Sequence, residues 1–189
     1  MNVQTAIQLG SSHPIFCEDF LLTAPIGKDK LLAAVADGCT SGKDSHFAST
    51  LIIKILQKIA IEQSYLQNYK IQPLDAQIKE IVARLWEELK AVKNLLLLKN
   101  EELLSTVLLA LVHKEQKQAY FVALGDGLLA CNDKIWEFDS NDRPDYLAYH
   151  LHKQKDEYVN QQNFIFSTDI QQLSICTDGI FSFDIFDNI

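Results

Sequence analysis

Three aspartates in this chain share one local setting. An apolar run over 31–36 stops at Asp37-Gly38, a second over 120–124 runs into Gly125-Asp126-Gly127, and a third over 173–177 stops at Asp178-Gly179. Of the seven glycines, three directly follow an aspartate at the exit of an apolar run. A short apolar run bounded by turn residues reads as a buried strand, and a rigid strand can aim the carboxylate at its end. Taken singly, each Asp-Gly pair is a hairpin-turn dipeptide, because Gly supplies a positive φ and Asp tolerates the turn. Taken together, the three could converge on one rim of a sheet, where carboxylates repel one another unless cations sit between them. Hard divalent ions such as Mg²⁺ and Mn²⁺ prefer such oxygen donors.

The elements that must position these acids follow from the hydrophobic pattern. Val3, Thr5, Ile7 and Leu9 alternate with Gln4, Ala6 and Gln8, the period of a half-buried strand. Residues 20–24 and 31–36 read as a strand pair joined by the turn containing Gly27 and Asp29. Such a hairpin sets Glu18 and Asp19, at the start of one strand, beside Asp37 at the end of the next. From Asp44 the period becomes helical through Phe47, Leu51, Ile55 and Ile59, with Thr40 or Ser41 as the expected cap. Pro73 opens a second amphipathic helix through Leu74, Ile78, Ile81, Leu85 and Leu89. Residues 95–98 fit either a helix end or a buried strand. Strands are expected over 104–113, 119–124, 128–131, 135–138 and 173–177, with 146–152 open to a helix. Two helices between runs of strands indicate an α+β layer arrangement.

Composition bounds the function. At 189 residues, 48% hydrophobic and 22% charged, the chain reads as one soluble globular domain over 1–189, with no linker or repeat. A formal charge of −8 without a basic stripe argues against nucleic-acid binding. No apolar run approaches membrane-spanning length and the amino terminus has no signal-peptide pattern, so a cytoplasmic protein with no membrane partner is expected. The four cysteines form no Cys-x-x-Cys pair, which removes zinc-ribbon and dithiol chemistry. Cys131 and Cys176 read as small buried hydrophobes, and Cys39 as a structural thiol whose pKa the neighbouring Asp37 would raise. His150 and His152 read as a solvated surface pair.

Cys17-Glu18-Asp19, Asp37-Gly38 with its Ser/Gly turn and helix, Ser105-Thr106-Val107, Gly125-Asp126 and Thr177-Asp178-Gly179 occur in an order that resembles the metal-dependent protein phosphatases, the type 2C Ser/Thr phosphatases, in their bacterial form. The resemblance implies two antiparallel β-sheets packed as a sandwich with helices on the outer faces, a four-layer αββα fold. It implies two or three Mg²⁺ or Mn²⁺ ions. Asp37 would bridge two of them, the Gly38 carbonyl would complete one sphere, Asp178 would hold the other ion, and Asp126 would serve a third position. Glu18 and Asp19 would orient metal-bound water, Asp19 also as a metal ligand. The substrate implied is a phosphoserine or phosphothreonine protein, with a cognate Ser/Thr kinase as the natural counterpart.

The chain departs from that pattern in four places, one of them Gly125-Asp126-Gly127-Leu128 where many relatives read Gly-Asp-Ser-Arg. His13-Pro14-Ile15 stands where the family usually carries a phosphate-binding Arg, and His13 lacks the bidentate fork of Arg. Cys39 follows the first Asp-Gly where some relatives have His. Asp187-Asn188 imitates the last metal motif but follows Asp178 sooner than in relatives. Two other readings stay open: a phosphatase-like domain that binds a phosphorylated partner or metal without turnover, and an unrelated α+β protein whose Asp-Gly pairs are turns.

Overall fold

The computed structural model describes residues 1–9, 15–66, 72–140 and 144–182. His13 and Asp187, the expected phosphate contact and last metal ligand, lie outside the described residues. The described chain contains two antiparallel sheets and three α-helices, the α+β class that the pattern implies.

The larger sheet begins with the expected hairpin. Strand β1 (Asp19–Ile26) pairs with β2 (Lys30–Gly38) in a register that sets Asp19 directly opposite Asp37. Strand β3 (Ser105–His113) lies on the other side of β2, then β4 (Gln118–Leu124), then the short β7 (Ile165–Ser167), giving the order β1-β2-β3-β4-β7. The apolar run of β3 is buried on both faces because it is central in its sheet and covered from both sides. The smaller sheet is β6-β5-β8, formed by β5 (Gly127–Cys131), β6 (Lys134–Phe138) and β8 (Leu173–Cys176).

Two cores hold these layers together. Leu32, Ala34, Val107, Leu109 and Val122 point from the larger sheet toward the helices α1 (Ser45–Tyr65) and α2 (Leu74–Leu96). Ala110, Val112, Ala119 and Phe121 point the other way and meet Leu129, Cys131, Trp136 and Ile175 of the smaller sheet. The third helix, α3 (Lys155–Gln161), buries Tyr158 and Val159 in the helix-side core. Among the described residues, therefore, the helix layer covers the outer face of the five-stranded sheet. No described helix is long and apolar enough to cross a membrane.

The structure corrects several local expectations and decides between the alternatives left open at others. Residues 1–9 form no strand, and Val3, Ile7 and Leu9 are exposed, because no described strand takes them as a ladder partner. Helix α1 starts at Ser45 behind Asp44, which adopts a left-handed φ of 54° and makes no side-chain cap. Thr40 does not cap because its hydroxyl is donated to Glu18. Residues 95 and 96 complete α2, and Leu97 ends it in the left-handed conformation at φ 56°. His150 is no solvated pair member: its Nε2 lies 2.5 Å from Asp145 and its ring packs against Tyr158. Helical structure in that region is a 3-10 turn at Leu147–His150 followed by α3.

Candidate active site

None of the three Asp-Gly pairs closes a two-residue hairpin. Asp37 ends β2 and leads toward α1, Gly125-Asp126-Gly127 carries the chain from the larger sheet to the smaller one, and Asp178 follows β8 into a 3-10 turn. Their neighbours show that all three lie at one end of the sandwich. Asp37 is in register with Thr106 at the start of β3. A Cβ built on Gly125 would lie 2.9 Å from Thr106 Cγ2, so the end of β4 packs directly on Thr106. A Cβ on Gly127 would lie 2.7 Å from the carbonyl oxygen of Cys176, two residues before Asp178. The route from Asp37 through Thr106, Asp126 and Gly127 to Asp178 is thus a chain of direct contacts across the mouth between the two sheets.

The alternation of β2 decides which way the acid points. Leu32, Ala34 and Ala36 face the helices and are buried, whereas Leu31 and Ala33 pack on the second core; Asp37 continues that second set. It therefore enters the space between the sheets, where the carboxyl of Asp178 meets it in a hydrogen bond. Burial pushes the Asp37 carboxyl up to about 8, with further contributions from the charges of Asp19 and Asp178, that hydrogen bond, and the charge of Glu18. A cation placed between them would offset the repulsion that raises the Asp37 carboxyl. The donor set, hard oxygens with a pair of carboxyls at hydrogen-bond distance, fits a divalent ion in its chemistry. Among the described residues no group of three or more acids, histidines or cysteines is already arranged as a metal cage. Asp37 and Asp178 would hold the ion, with Asp19 beside Asp37 as the adjacent donor.

Glu18 has a different task in this geometry. Its two carboxylate oxygens accept hydrogen bonds from Ser45 Oγ at 2.6 Å and Thr40 Oγ1 at 2.7 Å, while its carbonyl accepts from the Gly38 amide at 3.1 Å. The side chain thus ties the loop after Asp37 to the first residue of α1. Gly38 is required there by a close approach: a Cβ would fall 2.0 Å from the Ser45 carbonyl oxygen. Asp126 stands to one side, buried, with its Oδ1 accepting a hydrogen bond from Ser140 Oγ at 2.7 Å.

Two further groups belong to the site and carried no role in the sequence reading. Thr106, opposite Asp37, has a buried hydroxyl with no hydrogen-bond partner among the described residues. Tyr146 reaches the Cys39 thiol with its hydroxyl. Cys39 itself departs from expectation. Burial pushes its thiol up, but hydroxyls of Ser41 and Tyr146 and the amides of Ser41 and Gly42 outweigh that and leave it below the ordinary thiol range. Asp37 was expected to dominate because it is two residues away; the turn instead surrounds the sulfur with donors.

A family model described as Protein phosphatase 2C matches residues 11–188. A search of the curated proteins finds no match. Among solved structures, RsbX in complex with magnesium is similar at 18% identity and a TM-score of 0.59, over 96% of this chain and 74% of that one. A bacterial serine phosphatase carrying an arginine-to-glutamate substitution is similar at 15% identity and a TM-score of 0.66, over 93% of this chain and 75% of that one. The phosphatase domain of SpoIIE from Bacillus subtilis is similar at 18% identity and a TM-score of 0.56, over 92% of this chain and 44% of that one. At these identities the structural likeness concerns the fold.

Proposed function

We propose that this chain, which belongs to the protein phosphatase 2C family, hydrolyses phosphoserine and phosphothreonine monoesters on proteins with Mg²⁺ or Mn²⁺ as cofactor. The observation that carries the reading is the hydrogen-bonded pair of Asp37 and Asp178, delivered from different sheets and backed by Asp19 and Glu18. Divalent ions bound there would neutralise phosphate oxygens and acidify the attacking water. The protein's part is to fix the donors. The β1-β2 register holds Asp19 beside Asp37, Glu18 locks the following loop to α1, and Ser140 holds Asp126 in one orientation for a weaker ion position. His13 remains the proposed contact for substrate phosphate, and a cognate kinase the proposed source of the phosphoprotein.

No protein nucleophile is needed for this chemistry, and none of the hydroxyls at the site has a histidine base beside it among the contacts described. Manganese-dependent hydrolysis of p-nitrophenyl phosphate and of a phosphothreonine peptide tests the proposal. Asp37→Asn and Asp178→Asn are each expected to lower kcat/KM by at least about 100-fold, the loss of roughly 3 kcal/mol of transition-state stabilisation. A second reading rests on His13-Pro14-Ile15, which stands where the family usually carries a phosphate-binding Arg: the domain binds cation and phosphorylated partner without turnover. Calorimetric Mn²⁺ binding that Asp37→Asn abolishes, with no hydrolysis by the unsubstituted protein, would select it. Neither binding nor turnover would refute both readings.

A further inference from the structure

Asp19, Asp37 and Thr106 stand side by side across the rim of the larger sheet, in register on three neighbouring strands, and Gly125 follows them at the end of β4. Alternation along β3 sets Thr106 on the face of Ala110 and Val112, toward the smaller sheet, the face that Asp37 also takes. The residue is 5% exposed and its hydroxyl has no hydrogen-bond partner among the described residues. The hydroxyls around it do have acceptors. Thr40 and Ser45 donate to Glu18, Ser140 donates to Asp126, and the adjacent Ser105 donates to the carbonyl of Thr106 itself.

A buried hydroxyl without an acceptor destabilises a fold, and valine would fill the same space without that cost. The methyl of Thr106 already has its contact, since Cγ2 faces Gly125, where an added Cβ would lie 2.9 Å away. Packing therefore accounts for the methyl and leaves the hydroxyl unexplained. The group within its reach is the carboxyl of Asp37, directly opposite. Side chains so placed on antiparallel strands sit roughly 4.5–5.5 Å apart at Cβ, so rotation of the two side chains closes one hydroxyl-to-carboxylate hydrogen bond without moving either strand.

We propose that Thr106 is a positioning residue: when Asp37 holds a cation, the Thr106 hydroxyl donates to the Asp37 oxygen turned away from the ion and fixes the orientation of that ligand. This role presupposes the cation site proposed above, and it adds to that site a residue that touches neither ion nor substrate. In the structure Asp37 is hydrogen-bonded to Asp178, and Thr106 stands aside. A carboxylate committed to a cation needs a further hydrogen bond to hold its plane, and donors outside the ligand set supply it at metal sites generally. A hydroxyl donating to an ionised carboxylate makes the shorter and stronger class of hydrogen bond.

Calorimetric titration of Mn²⁺ into the metal-free protein tests this, with Thr106→Val and Thr106→Ser compared and thermal melts of each recorded in a chelator. Thr106→Val keeps the shape and removes the hydroxyl; it should weaken Mn²⁺ binding about 10-fold, while its metal-free melting temperature is unchanged or higher by about 2–4 °C. Thr106→Ser keeps the hydroxyl and removes the methyl from Gly125; it should bind Mn²⁺ nearly as tightly as the native chain and melt lower. A merely packing role gives the reverse order. Native affinity in Thr106→Val, or a larger loss in Thr106→Ser, overturns the proposal alone. So does a lower metal-free melting temperature of Thr106→Val, which would mean that the hydroxyl already has an acceptor. No Mn²⁺ binding by the native chain overturns it together with the cation site it presupposes.

Discussion

Replacing Asp37 by asparagine should stabilise the metal-free protein at alkaline pH. The folded-state carboxyl ionises at about 8 against an ordinary value of 3.8, raised first by burial and then by Asp19 and Asp178. Between those two values the unfolded chain has released a proton that the folded chain retains, so stability falls as pH rises through this window. A shift of about four units caps the penalty near 6 kcal/mol. Because Asp37 is only partly buried and Asp178 beside it is exposed, about 2–3 kcal/mol is the expected gain for Asp37→Asn at pH 8, or roughly 5–10 °C in melting temperature for a chain of this size. Asparagine keeps the shape and removes the charge. Differential scanning calorimetry with a chelator at pH 8 and again near pH 4 is the assay. The gain should be present at pH 8 and shrink to a few tenths of a kcal/mol near pH 4, where the folded carboxyl is protonated and the unfolded one only about half ionised. Adding Mn²⁺ at pH 8 should reverse the order, because the cation replaces the proton. An asparagine variant equally or less stable than the native chain at both pH values would refute the account of a carboxyl cluster under mutual repulsion.

Other perturbations test neighbouring parts of the argument. Gly38→Ala places a Cβ 2.0 Å from a backbone oxygen, so the loop or the start of α1 must move; a loss of about 2–3 kcal/mol in urea unfolding is expected, and no loss would mean the approach is not that close. Glu18→Gln retains the shape but turns one acceptor of the Thr40 and Ser45 hydroxyls into a donor. It should cost about 1–2 kcal/mol and speed exchange of the amides at the start of α1. Leu97→Gly should stabilise by about 1 kcal/mol, since Leu97 is left-handed and 87% exposed at the end of α2; a destabilised variant would show that its side chain is held by a contact.

The parts legible in the sequence are those set by one element. A run of alternating or fully apolar residues fixes a strand, and a hairpin of the observed length fixes the register, so the opposition of Asp19 and Asp37 follows from residues 19–37 alone. What could not be read depends on a partner distant in the chain. Thr40 has the right chemistry for a helix cap, yet its hydroxyl goes to Glu18, 22 residues earlier, which strand pairing brings alongside. Cys39 is expected to feel its sequence neighbour Asp37, whereas Ser41 in the turn and Tyr146, from beyond the second sheet's first two strands, donate to its sulfur. Strand β7 is three residues long in a polar stretch, too short for any period to show. Residues 1–9 illustrate the converse: period two declares which side chains would share a face, but it cannot supply the edge they would pair with.

The same logic explains why the acids sit where they do. A carboxylate inside either sheet would need its own compensating charge; Lys30, buried at the far end of β2, is bonded to Gln77 instead. At the strand ends, the backbone leaves the sheet, glycine permits the close turns, and the two sheets diverge enough for carboxyls from each to meet. Asp37 and Asp178 can then approach one another because Asp37 lies on a rigid strand and Asp178 follows two residues after the end of another. A site built from one sheet alone could not bring donors to opposite sides of a cation. Separating the sheets at that end, for example with Gly127→Val, which would drive a side chain into Cys176 and Leu108, should therefore weaken Mn²⁺ binding even though it alters no carboxylate. Calorimetric titration of that variant, with circular dichroism confirming that it folds, would decide the point: affinity unchanged from the native chain would mean that the two sheets do not act together in holding the ion.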